Sequence, residues 1–85
     1  MKLKDTFITH MSNGEQIVVD ASGKFSGLIR NNGRAAFIVD CLKTETTVEE
    51  IVDKLYEEYD ASKEVLEKAV NDVVSKLRRT GAIDE

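Results

Sequence analysis

Few residues in this sequence could carry chemistry: one histidine, His10, one cysteine, Cys41, and acids that come in pairs, Glu49-Glu50 and Glu57-Glu58. A cysteine beside a histidine can make an activated nucleophile, and both are zinc ligands. One of each cannot supply a zinc or iron–sulfur ligand set from this chain alone. Two carboxylates can divide acid and base roles. These pairs, however, ride an acidic helical segment with no nucleophile or base near them. Asp72 falls within a helical stretch and is expected to face solvent. Asn13-Gly14 and Asn32-Gly33 read as turns, and there is no Gly-rich phosphate loop. His10 lies on an expected strand and reads as a half-buried or surface residue. Cys41 sits among Phe37, Ile38 and Leu42 at helical spacing and reads as a small buried hydrophobe. The expectation is a protein that is not an enzyme and holds no cofactor or metal, whose function is a surface that binds something.

The elements that would shape that surface begin with the last helix, expected from Ser62 to about Thr80. Val65, Leu66, Ala69, Val70, Val73, Val74 and Leu77 follow the i, i+3, i+4, i+7 rhythm of an amphipathic helix. Asp60 or Ser62 can cap its start, and Gly81 can end it in the left-handed conformation. The stripe centres on Leu66, Val70, Val73 and Leu77, with Val65 and Ala69 on one flank and Val74 on the other. It is wide enough to pack against the core and still wall a groove beside an edge strand.

The first third reads as β structure. Phe7 to Met11 is rich in β formers, and Asn13-Gly14 is a strong hairpin signal because a type I′ turn needs positive φ at both central residues. Glu15 to Asp20 is the second strand, and a two-residue turn pairs Ile8 with Val19 and His10 with Ile17. Those four share one face, and Phe7, Met11 and Val18 share the other. After a turn at Ala21-Ser-Gly23, Lys24 to Arg30 is expected as a third strand. It closes a meander and is left at an edge. Gly27 within it suggests a bulge or a close approach.

Asn32 is then expected to cap a helix through about Lys43. Thr47-Val-Glu-Glu50 fits a capping box, opening a helix with Ile51, Val52, Leu55, Tyr56 and Tyr59 on its apolar side. The order is β-β-β-α-α-α. Three short strands cannot bury themselves, so the helices pack on one face of the sheet, an α+β arrangement.

Composition bounds the function classes. Eighty-five residues, 41% hydrophobic and 33% charged, make one globular domain spanning 1–85. No apolar run suggests a signal peptide or a membrane span, so no membrane partner is expected. A lone cysteine cannot close an internal disulfide, which fits the cytoplasm. The net charge of −4 is uneven: nine acids and two bases from Thr44 to Glu67 give −7, and the flanking segments are mildly basic. Such a segment repels phosphate, and nucleic acid is not the expected partner.

Gly27-Leu-Ile-Arg-Asn-Asn32, then Ala35-Ala-Phe-Ile-Val-Asp-Cys-Leu42, then Thr46-Thr-Val-Glu-Glu-Ile-Val-Asp-Lys-Leu-Tyr-Glu-Glu-Tyr-Asp60, and finally the spacing Val70, Val73, Leu77, Gly81, Ile83 follow one another in an order that resembles the pyrroloquinoline quinone biosynthesis protein D family. The resemblance covers nearly the whole chain, with Ala35, Asn31 and Val39 where the family more often has Gly, Leu and Trp. It implies a permuted winged helix-turn-helix that acts as a precursor-peptide recognition element. Such a domain binds the leader segment of a ribosomally made peptide and presents it to a modifying enzyme, often a radical S-adenosylmethionine enzyme. The leader adds as a strand to the third strand, in the cleft beside the third helix. Carried onto this sequence, the peptide-binding residues are Phe25, Ser26, Gly27, Leu28, Ile29 and Arg30 on the strand, and Val70, Val74, Leu77 and Arg78 on the helix. Val74, on the stripe's flank, is the foremost groove candidate, and Arg30, Arg78 and Arg79 could attract acidic leader residues. An open edge suits this role, because its unpaired N–H and C=O groups can be satisfied by an extended peptide.

Two other readings use the same features. A winged-helix DNA-binding regulator would use Lys63, Lys68, Lys76, Arg78 and Arg79, against a pI of about 5.0. A self-associating module would pair two open edges, giving a weak edge-strand dimer in place of a monomer.

Overall fold

A computed structural model describes all 85 residues. A three-stranded antiparallel sheet is followed by three helices, as expected for this α+β chain. The sheet is built from β2 (Phe7–Ser12), β3 (Glu15–Asp20) and β4 (Leu28–Asn31) in the order β2-β3-β4. The helices are α1 (Gly33–Cys41), α2 (Val48–Glu58) and α3 (Lys63–Arg79). A second, two-stranded ribbon joins β1 (Lys2–Leu3) to β5 (Ile83–Asp84) and brings the two ends of the chain together. Neither short strand was expected, since two residues carry no readable alternation.

The hairpin between β2 and β3 forms as its turn residues require. Asn13 and Gly14 both take positive φ, 53° and 78°, and the register pairs Ile8 with Val19 and His10 with Ile17. The structure also resolves which face is inside. Val18, Phe7 and Gln16 are buried, whereas Ile8, His10 and Val19 are exposed. Met11 shares the inner face but lies exposed near the hairpin end.

The third strand is shorter and later than expected. Lys24 to Gly27 lie outside it, and the strand runs Leu28–Asn31. Asp20 explains the difference. Its carboxylate accepts hydrogen bonds from the Ser22 and Phe25 backbone N–H groups at 2.9 and 3.0 Å and from the Ser22 hydroxyl at 2.6 Å. Those bonds tie residues 21–25 into a loop, the local competition by which Asp diverts backbone from a ladder. They also hold the Asp20 carboxyl below its ordinary range, the Ser22 side chain first among the causes. Gly27 is a point of close approach, since a Cβ there would lie 3.3 Å from Phe25 Cζ.

Each helix start follows its capping chemistry to a different degree. Ser62 accepts from the Val65 N–H, and Thr47 from the Glu50 N–H at 3.1 Å. The Glu50 carboxylate does not complete a capping box with Thr47; it accepts instead from Thr46 Oγ1 at 3.2 Å. Asn32 stands at the α1 N-cap in extended conformation, with no side-chain capping bond. Gly81, φ 78°, follows the end of α3 as expected.

The core is one cluster in which Val18 and Ile29 of the sheet meet Ile38, Val39, Leu55, Leu66, Val70 and Val74 of the helices. A buried polar bridge crosses the layer. Gln16 Nε2 donates to the Ala36 carbonyl and to Asp40 Oδ1, and Gln16 Oε1 accepts from Asn31 Nδ2 at 3.1 Å. Every buried side-chain polar atom has a partner, so this bridge orients β3, β4 and α1 without leaving a desolvated group unpaired.

Candidate functional site

The residues that could have carried chemistry do not converge. His10 is exposed on the outer sheet face. Cys41 is half-buried against the core, and that burial raises its thiol pKa, so it is a poor nucleophile. No group of three or more His, Cys, Asp or Glu side chains is placed to hold a metal ion. Asp72 is exposed and pairs with Lys68 one turn earlier, at 3.1 Å.

What the fold does build is an edge beside a groove. β4 pairs with β3 through Leu28–Val19, Ile29–Val18, Arg30–Ile17 and Asn31–Gln16. Nothing pairs with its other side. In an antiparallel ladder alternate residues aim their N–H and C=O away from the partner strand, so half of β4 offers unused backbone donors and acceptors along this edge.

The groove next to that edge has a volume of about 280 Å³ and is bounded by Ile29, Arg30, Asn31 and Asn32 on one side and Asp72, Val73, Lys76 and Leu77 on the other, with Ala35 between. Its interior is apolar where Ile29, Leu77, Val73 and Ala35 meet. Its rim carries two positive groups and one negative. Arg30 lies 3.6 Å from Glu15, a long exposed pair whose contribution is small.

The expected binding residues scatter around this groove. Leu28, Ile29 and Arg30 lie on the edge strand, and Ile29 reaches the interior. Phe25, Ser26 and Gly27 precede the strand; Phe25 is half-buried and stacks on Phe7, centroids 6.5 Å apart. Leu77 is buried yet reaches the groove. Val70 is fully buried in the core. Val74 requires a correction: it is 1% exposed and packs inside, not on a solvent-accessible flank. Arg78 turns away and donates to Glu85 Oε1 at 2.6 Å, which in turn lowers the Glu85 pKa.

Sequence reasoning missed Val73, Lys76, Asp72 and Ala35. The periodicity was centred on the wrong axis. At roughly 100° per residue, Leu66, Leu77, Val70 and Val74 fall within about 80° of one another, and these four are the buried ones. Val73 and Ala69 lie on the opposite side of Leu66 from Val74, and both are half-buried. The wheel alone does not choose between the two sides, because Lys76 and Asp72 lie beyond Val73 just as Glu67 and Arg78 lie beyond Val74.

The family model described as Coenzyme PQQ synthesis protein D (PqqD) matches residues 13–83. Two solved structures are similar in fold. One, titled "TbiB1 in Complex with the TbiA(beta) Leader Peptide", is 19% identical and superposes with a TM-score of 0.85 over 99% of this chain and 95% of that chain. The other, titled "Lasso peptide synthetase B1 complexed with the leader peptide", is 18% identical, with a TM-score of 0.79 over 95% of this chain and 93% of that chain. No curated protein matches.

Proposed function

The chain belongs to the Coenzyme PQQ synthesis protein D (PqqD) family, and from that membership we propose that it is a non-catalytic peptide chaperone that binds the leader segment of a ribosomally made precursor peptide. The leader adds as a strand along Leu28–Asn31, and an apolar side chain of the leader enters the space between Ile29, Val73 and Leu77. The bound peptide is then presented to a modifying enzyme, a radical S-adenosylmethionine enzyme in this reading.

The observation that carries the reading is the coincidence of an open antiparallel edge with an apolar groove along the same edge. Backbone pairing supplies affinity that does not depend on sequence, and the groove supplies selection among side chains. The two solved structures of the same fold, each a complex with a leader peptide, support it. The peptide-contacting set in this proposal is Leu28, Ile29, Arg30, Val73, Lys76 and Leu77, with Val70 and Val74 holding the wall from behind.

The test is a titration of the isotope-labelled domain with the leader segment of a candidate precursor peptide, followed by amide chemical shifts. Binding is expected to perturb Leu28 to Asn32 and Asp72 to Leu77 together. Shifts confined to α2 or to the β2 side of the sheet would place the peptide elsewhere and overturn the reading.

A further inference from the structure

A second cavity, about 440 Å³ in volume, opens where the β3–β4 loop meets the end of α3. Lys4, Lys24 and Arg79 line it, with Phe25 and Phe7 as its apolar surface and the hydroxyl side chains of Thr6, Ser22 and Thr80 among its walls. None of the three cations has an ion-pair partner; of the chain's other unpaired cations, Arg34, Lys54 and Lys76, none lines this cavity.

The nearby negative groups are already occupied. Asp20, the only acid in the cavity, spends its carboxylate on the Ser22 and Phe25 groups of its own loop. The negative end of α3 is likewise closed by its own chain. Thr80 N–H donates to the Lys76 carbonyl, Gly81 N–H to that of Arg78, and both Ala82 N–H and the Thr80 hydroxyl to that of Leu77. Three cations against one internally bonded acid leave the cavity positive in a protein whose net charge is −4. The α2 helix, none of whose residues line the cavity, is strongly acidic, so the positive potential is local.

Position gives this cavity a meaning. Along the cleft, residues 29–32 of the strand side face 72–77 of α3, and Phe25 lies beside Arg79 and Thr80. Cleft and cavity are thus successive stretches of one path. Ile29 and Phe25 are four residues apart, so the two sites lie within about 13 Å of one another along the chain, the reach of four extended residues.

We infer that the cavity formed by Lys4, Lys24 and Arg79 is an acceptor for an acidic side chain of the bound peptide, an Asp or Glu about four residues from the apolar residue that fills the Ile29–Val73 groove. This rests on the peptide-binding reading above and sharpens it. The ligand class is an extended peptide with one apolar anchor and one acid at fixed spacing. The two Phe rings take the methylene stem of that side chain while the cations and hydroxyls meet its carboxylate.

The probe is a library of random dodecapeptides displayed on phage and panned against the full chain, against K24E/R79E, and against Val73→Asp. Lys24 and Arg79 are exposed and lie outside the core cluster, so K24E/R79E still folds cooperatively, with a melting temperature lowered by a few degrees because R79E reverses a favourable charge in the last turn of α3. Wild type is expected to enrich an apolar residue with Asp or Glu about four positions away, and K24E/R79E to keep the apolar preference and lose the acidic one. For a resynthesised winner, Glu→Gln is expected to weaken binding to wild type by roughly tenfold and binding to K24E/R79E not at all, the signature of a direct pair in a double-mutant cycle. Apolar enrichment without an acid at fixed spacing, or the same acidic preference in K24E/R79E, overturns the acceptor assignment while the groove stands. Enrichment of nothing by wild type, or of the same peptides by Val73→Asp, overturns the groove reading and this assignment with it.

Discussion

Val73 and Val74 are neighbours in the chain, carry the same side chain and sit in the same turn of the same helix, yet they face different surroundings. Val74 is sealed in the core, and Val73 stands half-open on the wall of the groove. One step along a helix is a rotation of about 100°, enough to pass from a packed interior to a surface that a partner can reach. The pair therefore separates folding from recognition on one element. The buried arc of α3 is the support, and the arc beside it is the instrument.

The sharpest way to break the contrast is to place a charge at each position in turn. Val74→Asp buries a carboxylate with no partner among Leu66, Val70 and Leu77. The cost is expected to reach several kcal/mol, comparable to the whole stability of an 85-residue domain. Thermal melting should find the variant largely unfolded; a cooperative transition near the wild-type temperature would place Val74 outside the core. Val73→Asp should fold, with a change in stability of about 1 kcal/mol or less, because its side chain can turn to water. Its affinity for a leader peptide should fall by on the order of a hundredfold, because that charge must be desolvated against an apolar side chain. Calorimetric titration reads this directly, and an unchanged affinity would remove this wall from the recognition surface.

A smaller effect sharpens the comparison from the side of α1. Cys41 packs against the core without reaching the groove. Cys41→Ala is expected to cost roughly 1 kcal/mol, the scale of trimming a partly buried side chain, with peptide affinity unchanged. Rapid alkylation of the native protein would contradict that packing. The smallest effect concerns Asp20, which holds the loop before β4. Its carboxyl pKa in the folded protein is depressed below the ordinary 3.8. Its contribution to loop order is therefore full above that value and lost as the pH falls through the folded pKa. The protection of the Ser22 and Phe25 amides, their exchange measured relative to the unstructured rate at the same pH, should fall as the pH drops below the ordinary carboxylate range while α3 stays protected. An equal loss of protection in α3 would mean that the loop and the core open together.

Much of the architecture was legible in the residues. The Asn13-Gly14 turn dictated the hairpin and its register, because only a primed turn matches the twist of the strands it joins. Thr47 and Ser62 marked their helix starts through hydroxyls that accept from N–H groups no helix can satisfy internally. The edge position of the third strand followed from chain order. The start of that strand did not, since Asp20 captures Ser22 and Phe25 through contacts that alternation of apolar residues does not report. The β1–β5 ribbon was equally hidden. It pairs residues from opposite ends of the sequence, and each strand is only two residues long.

By itself the sequence determined the α+β class, the three helices, the hairpin register, the acidic middle segment between mildly basic flanks and the presence of one wide apolar stripe on α3. Local rules decide these things: turn dihedrals, capping bonds, periodicity and charge. Only the tertiary structure decided which side of the stripe meets the core and which side is left open, which face of the sheet is buried, and that Lys4, Lys24 and Arg79 share one cavity. Those are outcomes of how the layers dock. A helical repeat fixes the angles among side chains on one helix, and it leaves free the rotation of that helix against everything else.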